Sequence, residues 1–319
     1  MTSASTPGPG RNTEPLAGMR HPVSMGGRIL RRLVATIARS YGLGRKIDHG
    51  WPRYEGGPRN AVDPPLPPIV LVHGFGVDGG TMLQLGRLLV TRHRVVIPDL
   101  PGFGDHAPRA SFGEDHRPGI EPFLKSIDDL LDRLEIEHPI LVGCSMGGAI
   151  VANYAATRAD RPAGIVLIGP AGIEPPIDSE VFAAAKRDEH MLRVDDRESF
   201  DRIYELNFVR PPYMPAWIRK TIAREAAPRA AEYESVLRSL ESVMLGGPEP
   251  YHSIRCPTEI VWGAKDLIID ISAAPVWNEA IEESRVTIIP DAGHSTMVEK
   301  PAEVAEVVEH LVDRIVPGR

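Results

Sequence analysis

Gly143-Cys144-Ser145-Met146-Gly147-Gly148 constrains this chain more than any other stretch. It follows Pro139-Ile140-Leu141-Val142, a short apolar, partly β-branched run that reads as a buried strand. Ala149-Ile150-Val151-Ala152-Asn153-Tyr154-Ala155-Ala156 comes next, small and apolar, and reads as a buried helix. Strand, sharp turn and helix with Gly-x-Ser-x-Gly at the turn present a serine hydroxyl on a strained bend. Glycines beside it let strand and helix approach closely while Oγ stays exposed. With 30 glycines in the chain, the bare pattern arises by chance in about one such sequence in seven. Its flanks and its partners must carry the reading.

A serine hydroxyl is a weak nucleophile at neutral pH and needs a base, itself oriented by a third group. A serine on such a turn takes its acid and then its histidine from loops after later strands. After Ile260-Val261-Trp262 comes Gly263-Ala264-Lys265-Asp266, and after Ile288-Ile289-Pro290 comes Asp291-Ala292-Gly293-His294. Of 11 histidines only His294 follows the last strand directly, so it is the expected base. Asp266 is the expected acid; Asp270 and Glu174 are its rivals, and Asp291 reads as a turn former. The oxyanion donors should be the backbone N–H groups of Met146 and Phe75, the latter in His73-Gly74-Phe75-Gly76. Their side chains are then free to line an acyl pocket. His73, Asp99 and Cys144 read as structural.

Residues 1–22 are rich in Ser, Thr, Pro and Gly without apolar periodicity, which predicts a disordered tail and no secretory signal. Residues 23–48 read as a basic amphipathic helix: Ile29, Leu30, Leu33, Val34, Ile37 and Tyr41 form a stripe among Arg28, Arg31, Arg32 and Arg39. Such a helix either lies in an anionic membrane interface, here through residues 24–41, or packs on the protein's own core. One or two edge strands follow from Trp51, then a connector with four prolines over residues 60–68 and a buried strand at Ile69-Val70-Leu71-Val72. A helix is expected near residues 81–90, a strand at Val95-Val96-Ile97, a polar loop over 105–118, a helix over 120–134 and, past the serine, a strand at Ile165-Val166-Leu167-Ile168. Alternation breaks over residues 173–253, which read as helices only, and resumes over 254–319 with strands at 259–262 and 286–289 and helices at 273–281 and 302–315. Short apolar strands alternating with helices require a mostly parallel sheet flanked by helices. The core then spans 49–172 and 254–319, with 173–253 inserted as a helical cap over the strand ends. Phe182, Tyr204, Phe208, Met214 and Trp217 are its candidate substrate-binding residues.

Composition fits a globular enzyme: 42% hydrophobic, 25% charged, and a net charge of -7 that disfavours nucleic acid as a partner. Two cysteines give no disulfide framework. No run reaches the length of a membrane span, so a cytoplasmic protein, peripheral to a membrane at most, is expected. No metal or cofactor is expected.

The His73, Ser145 and His294 motifs, together with Asp99-Leu100-Pro101-Gly102-Phe103-Gly104, resemble the α/β-hydrolase superfamily from about residue 50 onward. Ser-Met-Gly-Gly with Gly169-Pro170-Ala171-Gly172 and Trp262-Gly263-Ala264-Lys265-Asp266 is similar to the bacterial lipase and monoacylglycerol-lipase branch, as is the basic segment over residues 26–45. The resemblance implies an α/β-hydrolase fold, hydrolysis of carboxylic esters of small molecules or lipids, and a cap acting as a lid. Haloalkane dehalogenases and epoxide hydrolases place aspartate where this chain has Ser145. Carbon–carbon hydrolases of ring-cleavage products share Ser-Met-Gly-Gly but carry tryptophan after the histidine, where Ser295 stands here; they rank second. A non-catalytic receptor on the same fold is the alternative of another class. Acyl length, alcohol and oligomeric state are not legible in the residues.

Overall fold

The computed structural model describes residues 23–48, 51–58, 66–106, 119–187, 189 and 191–316. The expected tail, most of the proline-rich connector and nearly all of the polar loop lie outside them. Eight strands form one sheet: β1 (Gly44–Asp48), β2 (Trp51–Gly56), β3 (Ile69–Val72), β4 (Val95–Pro98), β5 (Ile140–Cys144), β6 (Gly164–Ile168), β7 (Thr258–Gly263) and β8 (Ser284–Ile289). Their order is β1-β2-β4-β3-β5-β6-β7-β8. β1 and β2 are antiparallel and β2 runs antiparallel to β4, while every pairing from β4 to β8 is parallel. Strand order reverses between β3 and β5, which lie side by side. Loops leaving their carboxyl ends therefore diverge and open a crevice there.

Alternation along the strands divides the core in two. Val70, Val72, Leu141, Ile165, Leu167, Ile260 and Trp262 face one apolar cluster, with α3 (Glu121–Arg133), α4 (Met146–Thr157) and α9 (Ala273–Ala280). Ile69, Leu71, Ile140, Val142, Val166, Ile168 and Val261 face the other, with α2 (Leu83–Leu89), α10 (Thr296–Glu299) and α11 (Pro301–Ile315). This is the period of two expected of strands buried on both faces.

The N-terminal segment differs from the sequence expectation. Helix α1 is Met25–Ser40, capped by Ser24, and ends before Gly42, whose φ of 87° stops the helical path. Residues 44–48, expected as helix, form β1 and pair with β2. Gly-Arg-Lys-Ile-Asp carries little strand propensity; pairing with β2 and the Arg45 contacts decide it. The apolar stripe also splits. Val34 packs on the core beside buried Ala38, whereas Ile29 is 53%, Leu33 41% and Ile37 39% exposed. Arg28, Arg32 and Arg39 are exposed too.

Between β6 and β7 the described residues form the α-helices α5 (Glu180–Lys186), α6 (Arg197–Leu206), α7 (Ala216–Ala226) and α8 (Ala230–Met244). Asp196 starts α6 with a capping box, its carboxylate accepting the Ser199 N–H at 2.9 Å. Ser179 starts α5 and donates its hydroxyl to Ile268 O at 2.6 Å, tying the cap to the loop after β7. Helix α1 touches α7: Ser24 N–H donates to Glu225 at 3.0 Å.

Candidate active site

Ser145 joins β5 to α4 with φ 54° and ψ -119°, a conformation few side chains adopt. Neighbouring backbone forces it. A Cβ on Gly147 would stand 2.4 Å from Val72 O, and one on Gly143 would stand 2.2 Å from Gly147 O. No residue larger than glycine fits at either position. Ser145 N–H donates to Ile168 O at 3.0 Å, and Ala171 N–H donates to Ser145 O at 3.1 Å, so the turn is stitched to the end of β6.

The loops after β7 and β8 bring Asp266 and His294 together. His294 Nδ1 lies 2.8 Å from Asp266 Oδ2. Asp266 Oδ1 accepts the N–H groups of Ile268 at 2.8 Å and Ile269 at 3.0 Å. Both side chains are buried. With a carboxylate as partner, Nδ1 carries the proton and Nε2 is left as an acceptor. Gly169, one residue past the Ile168 carbonyl that holds Ser145, sits against this pair: its Cβ position is 3.2 Å from Asp266 Oδ2 and 3.5 Å from His294 Nδ1. The ends of β5, β6, β7 and β8 thus converge on one place.

The rival acids hold other partners. Asp270 accepts the Ser272 N–H at 2.8 Å, which closes a turn, and Glu174 pairs with Lys186 at the surface. Asp291 pairs with Lys265 at 2.8 Å, also at the surface. Burial raises the Cys144 thiol well above its ordinary range, with the Asp266 charge adding to the effect. That thiol is a packing group.

The loop after β3 crosses over Ser145, the Gly74 Cβ position lying 3.4 Å from Ser145 Cβ. His73 organises it. Its Nε2 accepts the Leu100 N–H at 3.0 Å, so Nδ1 bears the proton and donates to Gly74 O at 2.7 Å. Complete burial lowers the His73 pKa below its ordinary value and keeps the ring neutral. Because a peptide is planar and trans, fixing Gly74 O toward His73 turns the Phe75 N–H to the opposite side. Asp99 anchors the same loop through the Gly79 N–H at 3.0 Å, and is itself paired with Arg45 at 2.6 Å. The N–H of Met146 is in the first turn of α4, where helix geometry leaves N–H groups unpaired.

The cap closes over this crevice. Tyr233 of α8 stacks on Phe103 at 5.2 Å and meets Phe75 edge-on at 5.8 Å, while Arg229 donates to Gly102 O. A cavity of about 10 Å³, roughly the space of one water, remains between Phe75, Leu192, Val194, Tyr233 and Leu237, with the paired Arg193 and Glu234 also at its wall. A larger surface groove of about 370 Å³ lies between α2 and α11, lined by none of Ser145, Asp266 and His294. Among the expected cap residues, Phe182 is buried in the cluster that includes Met146 and Ile268. Tyr204 stacks on Phe200 and meets Phe208 edge-on at 5.0 Å, and Met214 is half-buried. Trp217 is 48% exposed on α7 and outside both apolar clusters, one helical turn from the Thr221 that meets α1. Tyr213 beside it is 91% exposed. Sequence reasoning missed Arg229 and Tyr233, and the contacts of Asn207, Ser295 and Glu299 described below. Their residue types carry no motif.

Residues 69–307 match the sequence profile of the Alpha/beta hydrolase family. The chain belongs to this family. Lipase 1 of Psychrobacter immobilis is 30% identical over 244 residues, covering 75% of this chain and 74% of that protein. The monoacylglycerol lipase ABHD6 of Mus musculus is 24% identical over 254 residues, covering 76% and 74%. Among solved structures, that of a membrane phospholipase A described as a bacterial virulence factor superposes with a TM-score of 0.79 at 27% identity, covering 91% of this chain and 93% of the other. Among the described residues no cluster of side chains suits a metal ion, and no helix is long and apolar enough to cross a membrane.

Proposed function

We propose that this α/β hydrolase cleaves carboxylic esters through an acyl-enzyme formed on Ser145, with His294 as base, Asp266 as its orienting acid, and the N–H groups of Phe75 and Met146 as oxyanion donors. The observation that carries it is the 2.8 Å contact between His294 and an Asp266 already fixed by two backbone N–H groups, beside a serine held at positive φ. His294 Nε2 takes the Ser145 proton as Oγ adds to the ester carbonyl, and the imidazolium is stabilised by the Asp266 carboxylate. The developing oxyanion is met by two donors that need no reorganisation. Collapse of the tetrahedral intermediate expels the alcohol with the proton from Nε2. Water, deprotonated by the same nitrogen, then releases the acid.

Support for a lipid-like ester comes from the cap side of the site, where Leu192 and Tyr233 lie against Phe75, and Phe182 and Leu206 belong to the same apolar cluster. The lipase and monoacylglycerol-lipase relatives favour the same substrate class. Exposed Ile29, Leu33 and Ile37, flanked by arginines, support peripheral contact of α1 with anionic lipid. A p-nitrophenyl ester series from acetate to palmitate, with monoacylglycerols and triacylglycerols alongside, tests the reading. Each buried methylene contributes about 0.8 kcal/mol, so turnover should climb to medium acyl lengths and then fall, with monoacylglycerols ahead of triacylglycerols. Rapid turnover of a ring-cleavage product, with feeble action on every ester, would replace it by carbon–carbon hydrolysis.

A further inference from the structure

The loop carrying His294 is also bound to the cap. Ser295 N–H donates to Asn207 O at 3.0 Å, and the Ser295 hydroxyl donates to Asn207 Oδ1 at 2.9 Å. Glu299 bridges the same two segments with its two oxygens. One accepts the Gly293 N–H at 2.7 Å and the other accepts the Arg210 N–H at 2.8 Å. Contact between the backbones is close enough that a Cβ on Gly293 would stand 2.9 Å from Asn207 O. Gly293 and Ser295 flank His294, so both ends of its short backbone segment are held by groups that also hold residues 207–210.

We propose that Glu299 is a positioning residue that latches residues 207–210 of the cap to the His294 loop, so that cap and base move as one unit. The inference rests on His294 being the base. Asp266 fixes the imidazole at Nδ1 but leaves the ring free to tilt about that bond. The Gly293 and Ser295 contacts fix the backbone from which the ring projects: the Ser295 contacts exist only while residues 207–210 are docked, and the Gly293 N–H holds the Glu299 carboxylate that meets Arg210. Because a carboxylate accepts on both oxygens and a carboxamide of the same shape on one, Glu299→Gln sets an NH₂ against one of the two backbone donors. That substitution breaks the bridge without removing its volume.

The test combines amide hydrogen exchange with steady-state kinetics on the full chain. In Glu299→Gln, peptides containing Gly293 and Arg210 should lose protection together. On p-nitrophenyl butyrate kcat should fall about 10- to 100-fold with KM within about twofold, the pattern of a misplaced reacting group rather than lost binding. Adding Ser295→Ala should cost less than its effect alone, because both side chains serve one latch. Should Glu299→Gln fail to fold, Ser295→Ala alone should give the paired exchange in milder form. Faster exchange in one segment only, an unchanged kcat with a lowered Tm, or a change confined to KM would each overturn the latch. A wild type inactive on every ester would instead sink the proposed reaction, and the paired exchange would still decide whether Glu299 couples the two segments.

Discussion

His294 Nδ1 and Asp266 Oδ2 lie 2.8 Å apart, and the second Asp266 oxygen is occupied by the N–H groups of Ile268 and Ile269. The carboxylate is therefore an acceptor on both sides. An asparagine there has one oxygen, and the two backbone donors compete with the imidazole for it. Turned to satisfy Ile268 and Ile269, the amide presents NH₂ to Nδ1 and imposes the wrong tautomer. Asp266→Asn should lower kcat on p-nitrophenyl butyrate by about 10⁴-fold. Asp270→Asn should change it by less than about tenfold, since the Asp270 carboxylate closes a turn by accepting the Ser272 N–H. A severe loss in Asp270→Asn would mean that the acid is misassigned.

His73 gives the fold a definite acid sensitivity. Its pKa is lowered by burial, so below the ordinary value of 6.5 the unfolded chain takes up a proton that the folded chain refuses. Its contribution to stability is constant above that pH and declines as pH falls, by up to about 1.4 kcal/mol per unit until the folded-state pKa is reached. Protonation at Nε2 would also strand the Leu100 N–H. His73→Gln keeps one donor and one acceptor but cannot titrate. Urea unfolding at pH 7.5 and 5.5 should show the wild type ahead of this variant by less at the lower pH. A gap independent of pH would contradict this account.

Ile29 and Leu33 are exposed already, so charging them should leave the fold alone. Ile29→Glu with Leu33→Glu should hold Tm within about 2 °C. Co-sedimentation with vesicles containing anionic lipid should drop at least fivefold, as apolar burial and attraction to lipid are lost together. Unchanged co-sedimentation would remove α1 from any membrane contact.

Most of the sheet is legible because its signals are local, and so is the strand–turn–helix that carries Ser145. Ile69-Val70-Leu71-Val72 is a buried strand in any context, and Gly143 and Gly147 state a close backbone approach: a Cβ at either position would stand 2.2 to 2.4 Å from a carbonyl oxygen. His294 and Asp266 follow strands, and their order narrowed the choice. β1 was misread as helix because its pairing with Trp51 through Glu55 comes from β2 and not from its own residues. The exposed side of α1 was undecided for a related reason: a stripe of Ile29, Leu33, Val34 and Ile37 looks the same whether it meets core or solvent, and contact with α7 and the core divides it. The Glu299 bridge joins segments 89 residues apart. Nothing near Arg210 announces it.

Ser145 is the centre of the account, and its reactivity is the most direct measurement. A fluorophosphonate probe followed by intact-mass and peptide analysis should give one adduct, on Ser145, within minutes. Labelling should vanish in Ser145→Ala and slow greatly in Asp266→Asn, with ester turnover in Ser145→Ala down by at least about 10³-fold. An adduct on another serine, or near-full turnover in Ser145→Ala, would contradict the nucleophile and with it the proposed reaction.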